Sequence, residues 1–320
     1  MIEITDIHKR YGSVEAVRGV SFAVGPGEIV GLLGPNGAGK TTILKILTGY
    51  HYPDAGSARI AGENVTERPR HVKSHLGYLP ENAPLYGELT VAEYLRFLAE
   101  ARGVPREAIT ARCSDAAVAC GVTEVLHRRI ATLSKGYRQR TGLAQAMLHD
   151  PDILILDEPT SGLDPNQIVE MRRLIRSLGQ EKTVILSSHI LQEVEAVCDR
   201  VLILHQGRIA AAGTAEQISV EVAGGGRWRI TLIVPGSTEE TVPTLFSSLP
   251  GCTAVEEVRR EPLGGRTRVS AEVALGDSGG QDPGEVIFDW ACHQGYKLVE
   301  AAPVQRRLEE LFTRLTGEAP

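Results

Sequence analysis

No apolar run in this sequence approaches the ~18–20 residues that a membrane-crossing helix needs. Mean hydropathy is -0.08, the value of a soluble rather than a membrane-embedded chain. Nor does the N-terminus carry a basic stretch followed by an apolar one: Met1-Ile2-Glu3-Ile4-Thr5-Asp6 alternates as a strand does. These absences predict a chain that stays in the cytoplasm. A surplus of positive charge is missing too. The net charge of -6 and pI of 5.9 speak against a general nucleic-acid binder, which would show a basic stripe. The five cysteines (Cys113, Cys120, Cys198, Cys252, Cys292) are odd in number and scattered. With no CxxC pair and no zinc spacing, they predict reduced thiols. What the chain does have is 42% hydrophobic residues over 320 positions, enough for a sizeable core and about two domains.

Residues 1–215 read as strands alternating with helices. Glu28 to Leu33 is a short apolar strand running into a glycine loop and then a helix, Thr41 to Thr48. Ile153 to Leu156 and Val184 to Leu186 are apolar runs between charged or turn residues, the pattern of strands buried on both faces of a parallel sheet. Between them Asp164 can cap a helix with Pro165 at its first position, an apolar stripe of Ile168, Met171, Leu174, Ile175 and Leu178, and Gly179 at its end. From about Glu81 to Asp150 helices interrupt the alternation. Thr90-Val91-Ala92-Glu93 is a capping box opening a helix through about Ala101.

After about Val220 the character changes. Ala223-Gly224-Gly225-Gly226 is a flexible junction. Then follow a strand (Trp228 to Val234), a helix (Thr241 to Leu249), two strands (Ala254 to Glu261, Thr267 to Leu275), a helix (Val286 to Gly295) and a strand (Lys297 to Ala301). That βαββαβ order fits a ferredoxin-like domain. A last helix, Val304 to Leu315, follows Pro303.

Gly34-Pro35-Asn36-Gly37-Ala38-Gly39-Lys40-Thr41 matches GxxxxGK[ST], with Thr42 behind it. The glycines let successive backbone N–H groups point inward at phosphate oxygens. Lys40 brings a cation to the β- and γ-phosphates, Thr41 a hydroxyl to Mg²⁺, and the following helix its positive end. A bland Gly-rich turn is the alternative, but the placement between an apolar strand and a helix favours phosphate. Asp157 follows Ile153-Leu154-Ile155-Leu156, at the strand end where α/β sheets bind ligands. There it can hold the magnesium shell. Glu158 beside it is placed to orient and deprotonate an attacking water.

Five further features carry a resemblance to the ATP-binding subunits of ABC transporters, in order and spacing over about residues 1–215. Leu133-Ser134-Lys135-Gly136-Tyr137 resembles the family signature LSGGQ, with Lys135 and Tyr137 as departures, just ahead of a helix Arg138 to His149. The resemblance implies that Ser134 and Gly136 bind the γ-phosphate held by an opposing subunit. Ser161-Gly162-Leu163-Asp164 matches the D-loop that lines the subunit interface. His189, at the end of the strand Thr183 to Ser188, matches the switch histidine that contacts the γ-phosphate. Tyr11 matches the aromatic that stacks on adenine. Glu81, in Gly77-Tyr78-Leu79-Pro80-Glu81-Asn82, stands where most of the family has a glutamine touching metal and water; a carboxylate there can coordinate Mg²⁺ but adds negative charge near the phosphates.

The expected fold is therefore α/β: a P-loop ATPase core with an antiparallel β subdomain and a helical insertion (about 82–150) over residues 1–220, then an accessory or regulatory α+β domain over 227–320. The expected activity is ATP hydrolysis, with ATP and Mg²⁺ as cofactors. A head-to-tail homodimer would hold ATP at its interface and drive an integral membrane permease on a separate chain. Such a protein sits peripherally on the cytoplasmic face of the plasma membrane, with no direct nucleic-acid contact. The wording Leu76 to Tyr86, the altered signature and the tail from Leu298 resemble an exporter branch related to gliding-motility, sodium-export and drug-export systems. One rival is a soluble ABC ATPase acting on ribosomes or DNA, which usually has two cassettes or a long coiled coil; neither is present. A second is a nucleotide sensor without catalysis, which the intact Asp157-Glu158 and His189 argue against.

Overall fold

The computed structural model describes residues 2–214, 217–218, 227–235, 245–276 and 282–304. Their contacts divide the chain into two units that join after Thr214.

The first unit opens with two long antiparallel strands, β1 (Ile2–Tyr11) and β2 (Val14–Val24). The apolar strand β3 (Ile29–Leu33) runs through the glycine loop into helix α1 (Lys40–Leu47). After them come β4 (Ala55–Ile60), β5 (Glu63–Asn64), α2 (Pro69–Ser74) and β6 (Leu76–Leu79). Three helices follow with no strand between them: α3 (Val91–Ala101), α4 (Arg106–Ala119) and α5 (Lys135–Met147). The alternation then resumes with β7 (Ile153–Leu156), α6 (Pro165–Gly179), β8 (Thr183–Ser188), α7 (Leu191–Val197), β9 (Arg200–His205) and β10 (Arg208–Gly213).

Two sheets result. One has the order β2-β1-β4-β5 and the other β10-β9-β3-β8-β7-β6. In the second, every neighbouring pair from β9 to β6 is parallel. Every residue of β3, β7 and β8 is buried, so continuous apolar runs are what burial on both faces demands. Helix α1 lies between the sheets: its Ile43, Leu44, Ile46 and Leu47 share one core with Ile2, Ile4 and Val20 of the antiparallel sheet and with Leu32 and Ile155 of the parallel one.

The capping box forms as expected: Thr90 Oγ1 accepts from the N–H of Glu93, whose carboxylate accepts from the N–H of Thr90 at 2.8 Å. Helix α5 corrects the expectation of a start at Arg138. It begins at Lys135, because the Ser134 hydroxyl accepts from the N–H of Tyr137 and caps the helix one turn earlier. Lys135, Gly136 and Tyr137 are thus the first turn of the helix rather than a loop ahead of it.

The second unit is built on β11 (Arg227–Pro235), β12 (Cys252–Leu263), β13 (Arg266–Leu275), α8 (Pro283–His293) and β14 (Lys297–Pro303). The sheet order is β12-β13-β11-β14 and all pairs are antiparallel. Helix α8 starts at Pro283, three residues before the expected Val286, since Asp282 caps the N–H groups of Gly284 and Glu285. One sheet face is apolar; Ile230, Leu232, Val269 and Val273 bury against Phe246, Ile287 and Trp290. The expected helix Val304 to Leu315 lies outside the described residues after Val304, as do residues 241–244 of the expected helix Thr241 to Leu249; of the latter, 245 and 246 are helical and the chain then turns.

Candidate nucleotide site

The C-terminal ends of β3, β7 and β8 converge, as adjacent parallel strands must, and each delivers one part of a site. From β3 comes the glycine loop. Gly39 takes φ 108 as the cap of α1, and a Cβ there would stand 2.6 Å from the carbonyl oxygen of Ala16. Only glycine fits both demands. The loop is held closed by Lys40, whose Nζ donates to the carbonyls of Gly34 at 2.6 Å and Pro35 at 3.2 Å.

From β7 come Asp157 and Glu158, 2% and 7% exposed. The Asp157 carboxylate accepts from Ser187 Oγ at 2.7 Å and from Thr41 Oγ1 at 3.2 Å. Burial pushes this carboxyl above its ordinary range, against the two hydroxyl hydrogen bonds that favour its charged form. Glu158 has a left-handed backbone, φ 47, unusual for a residue with a side chain. Its N–H donates to Ser187 Oγ at 2.9 Å, which anchors that conformation. Its carboxylate lies 3.5 Å from Lys40 Nζ and 2.9 Å from His189 Nδ1. From β8 comes His189, still half open to solvent at 46%.

Lys40, Glu158 and His189 border one cavity of 430 Å³, whose lining also includes Asn36 to Gly39, Thr41, Thr42, Glu81 and Ser161, while Asp157 reaches it only through its bond to Thr41. Glu81 therefore stands beside the loop. Tyr11 does not line the cavity; its ring packs edge-on against His51 at 5.6 Å. Ser134, Gly136 and Asp164 do not line it either. They lie together at the neighbouring starts of α5 and α6: a Cβ on Gly136 would come within 2.8 Å of Gln167, and Asp164 caps α6 through the N–H of Gln167. Lys135 reaches over the Gly162 backbone.

Two residues with no mark in the sequence hold the site together. Ser187 ties Asp157 to the backbone of Glu158. Glu193 of α7, 5% exposed, accepts from Thr160 at 2.5 Å and Ser188 at 2.9 Å, so it joins the segment after Glu158 to the residue before His189. Among the described residues no group of three or more His, Cys, Asp or Glu is arranged to hold a metal. Thr41 and Asp157 supply hard oxygen donors at one point, a partial set that suits a magnesium ion keeping other ligands of its own.

A second depression, 760 Å³, lies away from these groups. Tyr50, Lys73, Tyr78, Tyr94, Arg102 and His149 are among its walls, and no carboxylate lines it.

Residues 17–161 match the family model described as ABC transporter. The chain is 32% identical over 324 residues to the Nod factor export ATP-binding protein I of Burkholderia orbicola, covering 99% of this chain and 97% of the relative. It is 38% identical over 224 residues to the ABC transporter ATP-binding protein NatA of Bacillus subtilis, covering 68% of this chain and 91% of the relative. A solved structure of an ATP-binding subunit of an ABC transporter superposes with a TM-score of 0.62 at 33% identity, over 69% of this chain and 92% of that one. A dimeric bacterial ABC transporter cassette shares the fold at 22% identity and a TM-score of 0.61, over 67% of this chain and 98% of that one.

Proposed function

The chain belongs to the ABC transporter family, as its ATP-binding, ATP-hydrolysing subunit, and on that premise we propose which of its residues perform each step. Residues 1–220 are the cassette, with residues 82–150 as its helical insertion, and 227–320 an accessory domain. The observation that carries the assignment is the position of Glu158, whose carboxylate is shared between Lys40 and His189 at the mouth of a glycine loop.

ATP enters with its phosphates in the loop, where Gly37, Gly39, Lys40, Thr41 and Thr42 offer backbone N–H groups at the positive end of α1, while the Ala38 N–H closes the loop on the Pro35 carbonyl at 3.1 Å. Lys40 exchanges its carbonyl partners for phosphate oxygens. Thr41 and Asp157 would hold Mg²⁺, with Glu81 beside them, and the ion would neutralise charge on the β- and γ-phosphates. Glu158 takes the proton of the attacking water, a general-base role of about 10²–10⁴ in rate. Its left-handed backbone aims it into the cavity, and His189 and Lys40 stabilise the negative charge of the transferring phosphoryl. Tyr11 stacks on adenine.

Ser134, Gly136 and Asp164 complete no site within one chain. A head-to-tail homodimer brings them to the partner's nucleotide and makes two equivalent sites. Binding of ATP then favours the closed dimer, and hydrolysis releases it. The described residues include no helix long and apolar enough to cross a membrane. The motion is passed to a permease on a separate chain, docked in the 760 Å³ depression, with the subunit peripheral on the cytoplasmic membrane face. The name of the Burkholderia relative, a Nod factor export protein, supports export as the direction.

Glu158→Gln tests the reading. The variant binds ATP with unchanged affinity, hydrolyses it about 10³-fold more slowly and accumulates as a dimer. Turnover near that of the unsubstituted chain would remove Glu158 from the role.

A further inference from the structure

The sheet of the second unit has one apolar face, and its other face is charged in an order fixed by strand register. Across the middle of that face, Glu300 of β14, Thr231 of β11, Ser270 of β13 and Arg259 of β12 are successive cross-strand neighbours. In the row on one side, Arg229 of β11 faces Glu272 of β13. In the row on the other side the order is Lys297, Ile233, Arg268 and Glu261. The members of these rows from Arg229 to Glu300, Lys297 and Ile233 apart, line a single shallow depression of 580 Å³. The middle row thus runs from negative to positive across the sheet, and the Lys297 row from positive to negative.

This order is its own complement under one symmetry operation. A half-turn about an axis parallel to the strands, midway between β11 and β13, lays β14 of one copy over β12 of a second and β11 over β13. Glu300 then meets Arg259, Lys297 meets Glu261, Arg229 meets Glu272 and Thr231 meets Ser270. Ile233 meets Arg268, whose aliphatic stem can cover it. A half-turn about an axis across the strands would set Glu300 against Glu300 and Arg259 against Arg259. The charges therefore select one of the two operators.

We propose that this face is an isologous contact between two copies of the chain, with its two-fold axis along the strands. Among the described residues neither Arg259 nor Lys297 has a carboxylate within ion-pair distance in its own chain, and Arg268 reaches Glu261 only at 3.9 Å. The second copy supplies what is missing. Thr231 and Glu272 are each only 6% exposed before any partner arrives, so the centre of the face loses little further hydration on docking. The contact owes nothing to nucleotide, and it is separate from the ATP-dependent association proposed for the cassette.

Sedimentation equilibrium of the full chain, nucleotide-free and at low salt, tests it by charge exchange. The unsubstituted chain forms dimers. Arg259→Glu and Glu300→Arg each weaken them about tenfold, since each turns two symmetric attractions into repulsions. The double variant Arg259→Glu/Glu300→Arg recovers the original dissociation constant within about threefold. Arg259 and Glu300 stand on opposite edges, three strand spacings or about 14 Å apart, so the recovery has no route within one chain. The pair Lys297→Glu and Glu261→Lys repeats the test where a first variant folds poorly. A nucleotide-free chain that stays monomeric, or single reversals without effect, or a double variant that recovers nothing, overturns the contact. ATP-induced dimers of Glu158→Gln report on the cassette separately.

Discussion

The parallel sheet of the first unit and the sheet of the second unit use charge in opposite ways. The parallel sheet buries every residue of β3, β7 and β8, and its chemistry appears only where those strands stop: Lys40, Asp157, Glu158 and His189 all follow a strand end. The sheet of the second unit packs one face on an apolar core and spreads Arg229, Glu272, Arg259 and Glu300 over the other. A sheet covered on both sides has only its edge left for function and gathers a few groups there, desolvated and strongly coupled. A sheet open on one side offers an area, where many weaker charges act by pattern. The first arrangement suits a reaction and the second suits recognition.

Four substitutions press on that contrast, in order of decreasing effect. Trp290 packs the covered face of the second sheet and donates from its indole nitrogen to Ser248 at 3.0 Å. Trp290→Ala costs that unit about 3–5 kcal/mol. Read by two-probe denaturation, the loss falls on residues 227–304 while ATP affinity of the first unit stays put; a joint collapse would show that the units are not separate. Lys40→Ala lowers ATP affinity about a hundredfold, the value of a lost charge-assisted contact, measured by titration calorimetry. It leaves nucleotide-free association unchanged, which a single shared interface would not allow.

Next, Gly77→Ala places a methyl 2.3 Å from the carbonyl oxygen of Ala146, between β6 and α5. It lowers thermal stability by about 1–3 kcal/mol, without touching the charged face. Least of all, Thr90→Ala removes one half of the capping box of α3 and costs about 1 kcal/mol in a chemical melt. The other half carries a pH signature. The N–H and O–H of Thr90 hold the Glu93 carboxyl below its ordinary 4.5, so its contribution is complete above that value and is lost as pH falls through the lowered one. Glu93→Gln and the unsubstituted chain therefore converge in stability in acid; a gap that widened there would contradict the cap.

How much of this was legible in the sequence depends on where the physical constraint lies. Gly34 to Thr41 could be read because a phosphate cradle needs glycine at fixed spacing, and Asp157 because an apolar run shows where its strand stops. Ser187 and Glu193 could not. Their partners after β7 are 29 to 33 positions away, and nothing local distinguishes a serine near a strand end from any other. Helix α5 starts one turn before Arg138 because the Ser134 hydroxyl caps it, and a serine that can serve as ligand or as cap reads the same in sequence. The charge order on the second sheet was out of reach for a different reason. It depends on register shifts between Thr231 and Leu232 and between Glu256 and Arg259, and one residue more or less in either bulge would turn a whole row over.

The ammonium of Lys40 has three protons to give; two go to the carbonyls of Gly34 and Pro35, and the Glu158 carboxylate lies 3.5 Å away. A nucleotide therefore meets no slack segment waiting to be ordered, and most of the hydrogen bonds it gains from this lysine are ones surrendered elsewhere. The exchange is nearly even in bonds but not in charge. Loading should accordingly proceed at a rate set by encounter rather than by any folding of the loop, and added salt should slow it.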